Sequence, residues 1–285
     1  ILTYTFLVFY TVTILSIVLV IITDNRNPLK TLPWIIVLVF APVVGLVFYF
    51  FFGQNLSKRR IISRRTRRRI TMQLEEARDT GRPEIPEEHR RLAALLYSTT
   101  HSVALYGSRI TPYTDGKSKM EALLAEIARA KHHIHIQYYI FCDDTTGCRL
   151  RDALVEKVRQ GVEVRILYDD VGCSGVKKDF FEGMRREGIE VFSFLHVKFP
   201  LFTSKVNYRN HRKIAVIDGR VGFIGGMNVA DRYVRGTGWG SWRDTHFRIE
   251  GSGAAGLQVS FLSDWSATTK QHITGAAYFP QSERH

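Results

Sequence analysis

Two long uncharged segments open the chain and predict a pair of helices. Residues 1–23 carry no charged side chain, and neither do residues 31–57, in which we place a helix over 31–53. Each segment is long enough to cross about 30 Å of hydrocarbon. A cleaved signal peptide is the alternative for the first segment, but its apolar run is long and no small-residue cleavage site follows. The polar turn between the segments predicts a transmembrane hairpin, and Pro42 should kink its second helix.

Further along, apolar positions alternate between helical and strand spacing. Helices are predicted at 119–130, 150–159 and 178–186, and strands at 133–141, 162–168 and 189–195. Such alternation indicates an α/β domain with a largely parallel sheet. A hairpin around residue 218, a strand at 245–249 and a helix at 255–265 follow. We therefore predict that residues 92–285 form a domain in which helices flank a mixed sheet.

A basic linker at 54–91 joins the two parts, with eight Lys and Arg residues between 58 and 69. The whole chain has 40 basic and 27 acidic residues, a formal charge of +13. Basic residues beside a membrane helix keep that side cytoplasmic. They also attract anionic lipid, by about 1 kcal/mol each. Nucleic acid is disfavoured, because no aromatic residues are interleaved with the run. We predict anionic-lipid contacts at Arg64, Arg65, Arg67 and Arg68.

The candidate chemistry lies in an H-x-K-x4-D motif formed by His211, Lys213 and Asp218. Side chains two residues apart on a strand share a face, so the imidazole and the ammonium should be neighbours. An imidazole can attack phosphorus, and an ammonium is a point charge for phosphate oxygens. The pair predicts a phosphate site.

The dipeptide Asp218-Gly219 is a turn signal that should fold the chain back toward this pair. The returning strand would carry Gly225, Gly226 and Asn228. Glycines let backbone N–H groups approach a phosphate, and the amide is a further donor. The alternative is a hairpin with incidental polar residues.

These motifs resemble the phospholipase D superfamily, and within it the bacterial cardiolipin synthases. The resemblance covers nearly the whole chain. It rests on DNRNP at 24–28, QYYIF at 137–141, NYRNHRK at 207–213, GGMN at 225–228 and WRDTH at 242–246.

The resemblance implies a role for each catalytic residue. His211 is the nucleophile, and Lys213 and Asn228 hold phosphoryl oxygens. Asp244 accepts a hydrogen bond from the imidazole. Asp218 belongs to the catalytic motif, although we expect it to support the hairpin rather than react.

The resemblance also implies the surroundings of the phosphate. Gly225, Gly226, Arg209 and Tyr138 are predicted to contact the substrate. Gly226 stands where many members have Ser, so one hydroxyl contact is absent. No metal and no cofactor are expected.

The implied reaction makes cardiolipin and glycerol from two phosphatidylglycerols through a phosphatidyl-histidine. The family carries two motifs, whereas this sequence contains one. We therefore expect a half-domain whose opposing residues come from a C-terminal half or from a homodimer partner. The expected location is the bacterial inner membrane, multi-pass, with the domain in the cytoplasm. The alternatives are a membrane-tethered phosphodiesterase, acting on lipid or nucleic acid, and a non-catalytic half that binds anionic phospholipids.

Overall fold

The computed structural model describes residues 2–24, 28–41, 44–45, 48–49, 85–100, 102–194, 209–238 and 240–280. The chain divides into two compact units. One comprises Ile1–Ile61 with Val197–Tyr208, and the other Ile62–His196 with Arg209–His285.

The described part of the first unit includes α1 (Leu2–Asp24) and α2 (Pro28–Phe40). Their contact is apolar, with Leu38 buried against Ile17 and Trp34. Helix α2 ends two residues before Pro42, where the sequence predicts a kink. Over the residues described, no helix combines the length and the apolar character needed to cross a membrane. The transmembrane hairpin therefore stays a prediction.

The second unit is built on one mixed sheet of seven strands within its described residues. They are β1 (Ser108–Asp115), β2 (His133–Tyr138), β3 (Glu163–Asp169), β4 (Glu190–Phe194), β5 (Ile214–Ile217), β6 (Val221–Gly225) and β7 (Arg243–Gly251). Their order across the sheet is β1-β7-β6-β5-β2-β3-β4. Strands β2, β3 and β4 are parallel, and the other neighbouring pairs are antiparallel. The predicted α/β domain with a mixed sheet is confirmed.

Helices cover both faces of this sheet. The helices of this unit, over its described residues, are α3 (Glu87–Thr100), α4 (Gly116–Arg129), α5 (Thr145–Arg159), α6 (Lys178–Arg186), α7 (Asp231–Arg235) and α8 (Gly253–Thr269), followed by a 3₁₀ turn at Ala276–Tyr278; α3 buries no residue. Helices α4, α5 and α6 bury their apolar stripes on one face, which we call the α4 face. Helix α8 packs on the other, the α8 face, through Phe261 and Trp265.

The alternation of β2 shows how the two faces differ. Ile134, Ile136 and Tyr138 belong to the main core on the α4 face. The intervening His135 and Gln137 point to α8, where they hydrogen-bond Gln258 and Asp264. A strand buried on both sides is typical of sheets covered by helices.

Strand direction brings several strand ends to one edge of the sheet. Strands β2, β3, β4 and β6 end there, and antiparallel β5 and β7 begin there. Loops at this edge carry residues 209–213 and 226–228, and β7 begins there with residues 243–244. We call it the site edge.

The prediction lacks α3, β1 and α7, as well as the 3₁₀ turn. Helix α3 has no buried residue, so its apolar side chains carry no core signal. Strand β1 lies at the end of the sheet, and only one face of it is covered. Helix α3 also contains the predicted boundary between linker and domain at residue 91.

Candidate functional site

His211 and Lys213 form a close pair at the site edge, as strand alternation predicts. The ammonium Nζ of Lys213 lies 2.9 Å from Nδ1 of His211 and donates to the His211 carbonyl at 2.7 Å. The imidazole is exposed, and its ring lies 4.4 Å from the ring of Tyr139. Desolvation and the Lys213 charge lower the pKa of His211, while the charge of Asp169 acts to raise it. His211 is therefore neutral and accessible at pH 7.

Lys213 is buried beneath this imidazole, with 4% of its surface exposed. Burial lowers its pKa, and the nearby Asp244 carboxylate opposes that shift. Among the described residues no hydrogen bond joins Asp244 to His211. The predicted Asp244–imidazole contact is thus not formed here, because Lys213 occupies the Nδ1 side of the ring.

The two glycines of the Gly-Gly-Met-Asn segment leave room for different neighbours. A Cβ at Gly225 would collide with the backbone of Thr245 and His246 on β7. A Cβ at Gly226 would fall on the carboxylate of Asp244. A Ser side chain at 226 would therefore displace Asp244, which accounts for the glycine there.

Asn228 lies at the same edge but is 4% exposed. Its Oδ1 accepts from the Ile140 N–H at 3.0 Å, and its Nδ2 donates to the Tyr233 hydroxyl at 2.7 Å. The amide thus links β2 to the loop after β6. Both ends of the amide are thus engaged within the protein.

Asp218 lies at the opposite edge of the sheet from His211. Asp218 (φ 51°) and Gly219 (φ 65°) form the predicted turn between β5 and β6. By strand rise, Asp218 is roughly 17 Å from Lys213. Its carboxylate accepts from the N–H groups of Lys131, His132 and His133. It holds the hairpin to the start of β2, as expected.

Two predicted substrate contacts are already engaged within the protein. Tyr138 is 1% exposed, and its hydroxyl accepts from Lys119 Nζ at 2.7 Å. Its prediction as a substrate contact is wrong, since strand alternation turns Tyr138 into the core and Tyr139 toward His211. Arg209 lies 3.5 Å from Asp169. The predicted lipid contacts Arg64, Arg65, Arg67 and Arg68 lie outside the described residues.

Sequence reasoning missed the groups that fix the His211 loop. Asn210 donates its backbone N–H to Asp169 at 3.0 Å and its side-chain Nδ2 to Asp264 at 2.9 Å. Asp264 also accepts from Arg212 at 2.5 Å and from Gln137 at 2.7 Å. The available signal was an Asp within the apolar run 261–265 of a helix. A carboxylate there requires buried partners.

Sequence reasoning also missed a buried basic layer beneath Lys213. Lys119 is 1% exposed and His246 is fully buried. Burial lowers the pKa of Lys119 to about 7. Burial and the charges of Lys119 and Lys213 lower the pKa of His246 to about 2. Neither ring nitrogen of His246 has a hydrogen-bond partner among the described residues.

This arrangement offers an exposed neutral imidazole and an ammonium that contacts it, beside two glycines that β7 packs against. It suits attack on a phosphate ester. Within the described part of the chain, no group of three His, Cys, Asp or Glu side chains is placed to hold a metal ion.

Comparison with known families gives two matches along the chain. Residues 123–239 match the family described as cardiolipin synthase, PLD-like domain. Residues 9–54 match the family described as phospholipase D-nuclease N-terminal.

Curated relatives extend the similarity over almost the whole sequence. A protein of Alkalihalophilus pseudofirmus named cardiolipin synthase is 38% identical over 96% of this chain and 56% of its own length. The major cardiolipin synthase ClsA of Bacillus subtilis is 35% identical over 93% of this chain and 57% of its own length. The chain thus spans a little over half the length of these relatives. NucT from Helicobacter pylori aligns with a TM-score of 0.44 and 14% identity, over 56% of this chain and 98% of that one.

Proposed function

The chain belongs to the phospholipase D superfamily, among the bacterial cardiolipin synthases, and we propose that it carries one half-site of a membrane-bound phosphatidyltransferase. Two phosphatidylglycerol molecules are the substrates, and cardiolipin and glycerol are the products. The observation that carries the proposal is the exposed imidazole of His211 held 2.9 Å from Lys213. It lies in a chain 38% identical to a named cardiolipin synthase.

His211 attacks the phosphorus of the first phosphatidylglycerol in this proposal. A P–N bond forms, the P–O bond to glycerol breaks, and the glycerol oxygen takes a proton. The free hydroxyl of a second phosphatidylglycerol then attacks the phosphatidyl-histidine, the P–N bond breaks and cardiolipin leaves. The proton donor and acceptor is an opposing imidazole, from a further segment of the polypeptide or from a second copy.

In this proposal the Lys213 ammonium can donate either to His211 or to a phosphoryl oxygen. While protonated, it donates to Nδ1 of His211. A phosphoryl oxygen competes for the same ammonium, so substrate binding releases the ring for attack. Asn228, at the same edge of the sheet, is the further donor in this proposal, whereas the Gly226 N–H is already donated to the Thr245 carbonyl.

The N-terminal segments keep this site at the bilayer surface in our proposal. Their uncharged sequences over 1–23 and 31–57 support it, as does the basic run that follows. The catalytic domain is then cytoplasmic. A reporter fused after residue 285 and active only outside the cytoplasm would contradict this topology.

The chemical test uses the chain reconstituted in phosphatidylglycerol bilayers with labelled phosphorus. We expect an acid-labile phosphatidyl group on the intact chain and on His89→Ala, which removes an exposed imidazole from α3. We expect none on His211→Ala. Label that persists in His211→Ala contradicts the nucleophile. Cardiolipin as the product supports the transferase, whereas phosphatidic acid alone would make it a hydrolase.

A further inference from the structure

Two buried carboxylates hold the backbone that carries His211, and both act on Asn210. Asp169, at the end of β3, is 1% exposed, and Asp264 of α8 is 6% exposed. Asp169 accepts from the Asn210 backbone N–H, and Asp264 from the Asn210 side chain. The Asn210 side-chain oxygen in turn accepts from the Arg212 N–H at 3.2 Å. The loop is therefore fixed on both sides of the imidazole.

The two carboxylates have different ion-pair and hydrogen-bond partners. Asp264 lies 2.5 Å from the Arg212 guanidinium, so its charge is matched locally. Asp169 also accepts from the N–H groups of Val171 and Gly172, at 3.0 Å each. Its nearest cation is Arg209, at 3.5 Å. Both carboxylates thus have a cationic partner, and each partner belongs to the loop that carries His211.

The groups that face His211 are few. Lys213 lies against Nδ1, and the Tyr139 ring packs on the imidazole. Asp169 is the carboxylate whose charge favours the protonated ring. Asp244, the carboxylate expected in this role, acts on Lys213 instead.

We propose that Asp169 is the positioning carboxylate of His211: it fixes residues 209–211 through the Asn210 N–H and stabilises the positive charge that the imidazole gains on attacking phosphorus. The second part rests on the proposed function. A nucleophilic imidazole becomes cationic as its P–N bond forms, and a fixed negative charge favours that state. Lys213 opposes it, so the carboxylate has a charge to offset.

The test compares Asp169→Asn with Asp264→Asn, two isosteric changes at buried carboxylates that contact the same Asn210. The full chain in lipid nanodiscs is treated with diethyl pyrocarbonate across a pH range. Mass spectrometry follows modification of His211, with exposed His89 as the internal reference. This reagent attacks neutral imidazole, so the midpoint of its rate profile reports the pKa of His211.

We expect Asp169→Asn to move the His211 midpoint to lower pH, because the favourable negative charge is gone. Asp264→Asn should leave the midpoint unchanged. Asp169→Glu, which keeps the charge, should restore it, and also covers the case in which Asp169→Asn is poorly folded. An unchanged midpoint in Asp169→Asn, or an equal shift in Asp264→Asn, would overturn the proposal.

A second readout follows the formation rate of the acid-labile phosphatidyl group. Asp169→Asn should slow it about 10- to 100-fold, with a smaller change in the phosphatidylglycerol concentration for half-maximal rate. An unchanged rate would overturn the catalytic part. If the unaltered chain forms no such group even with a C-terminal half-site added, the proposed function fails, and the titration alone decides whether Asp169 sets the charge of His211.

Discussion

The two faces of the sheet differ at the site edge. On the α8 face, buried donors hydrogen-bond to carboxylates, whereas the buried basic groups of the α4 face make no hydrogen bond to a carboxylate among the described residues. Asp264 alone accepts from three side chains, on β2 and on the His211 loop. Lys119, Lys213 and His246 make no hydrogen bond to a carboxylate among the described residues. Lys119 has only the Tyr138 hydroxyl. One face supplies a rigid support, and the other buries basic groups whose pKa values burial lowers.

This difference fits the division of work between the motif residues. A nucleophile must be held in one place, and satisfied buried networks give such rigidity. A phosphate-binding lysine must keep its charge for the substrate. Burial lowers the pKa of Lys213, and in the proposed function the negative charge of a bound phosphoryl group opposes that shift.

The largest effect should come from removing the buried charge of Lys119. Its pKa is about 7 in the folded protein and 10.5 when unfolded. Between these values the unfolded chain binds the extra proton, so stability should rise with pH, by on the order of 5 kcal/mol. Lys119→Met should abolish this rise. Exposed Lys117 of the same helix gives the matched control, Lys117→Met. Urea unfolding in detergent at pH 7 and pH 10 gives the unfolding free energy of both variants and of the wild type. If that free energy rises equally with pH in the wild type and in Lys119→Met, the buried lysine does not distinguish the α4 face.

Next in size is the loss of the α8-face acceptor. Asp264→Ala leaves three donors without their shared oxygen, and the unfolding free energy should fall by about 3 kcal/mol. Asp152→Ala removes an exposed carboxylate from α5 and should change it by less than about 0.5 kcal/mol. Equal urea midpoints for the two variants would show that the network is not a support.

Substitutions at the two adjacent glycines compare a collision with the β7 backbone and a collision with the Asp244 side chain. Gly225→Ala drives a methyl group into the β7 backbone, and we expect a loss of about 2 kcal/mol in unfolding free energy. Gly226→Ala meets only the Asp244 carboxylate, which can rotate away, so the loss should be below about 0.5 kcal/mol. Urea titrations measure both losses of unfolding free energy. A larger loss in Gly226→Ala than in Gly225→Ala would mean that Asp244 is held rigidly.

Local patterns in the sequence predicted the helices, the strands and the turn that carry this site. Apolar spacing located α4 to α6 and β2 to β4, and strand alternation placed His211 beside Lys213. The turn at Asp218-Gly219 followed from residue type alone. These features depend on neighbours within a few residues.

The supporting groups were not predictable in the same way. Asp264 and Asn210 are 54 residues apart, and His246 meets Gly225 only because β6 and β7 pair. In the sequence, Lys119 is indistinguishable from an exposed helical lysine, and only the packing of α4 on the sheet places it beside Tyr138. Tyr138 was the predicted substrate contact, but the alternation along β2 buries it and leaves Tyr139 beside His211.

The smallest effect should separate Asp244 from Asp169. Asp244 raises the pKa of Lys213, so Asp244→Asn lets Lys213 lose its proton at a lower pH. Binding of short-chain phosphatidylglycerol, measured by calorimetry, should then weaken about threefold at pH 9 and hardly change at pH 6, since the ammonium survives there. The His211 midpoint should move less than in Asp169→Asn. An equal loss of affinity at both pH values would mean that Asp244 shapes the pocket rather than charging Lys213. A shift of the His211 midpoint as large as that in Asp169→Asn would return Asp244 to the role that the motif first suggested.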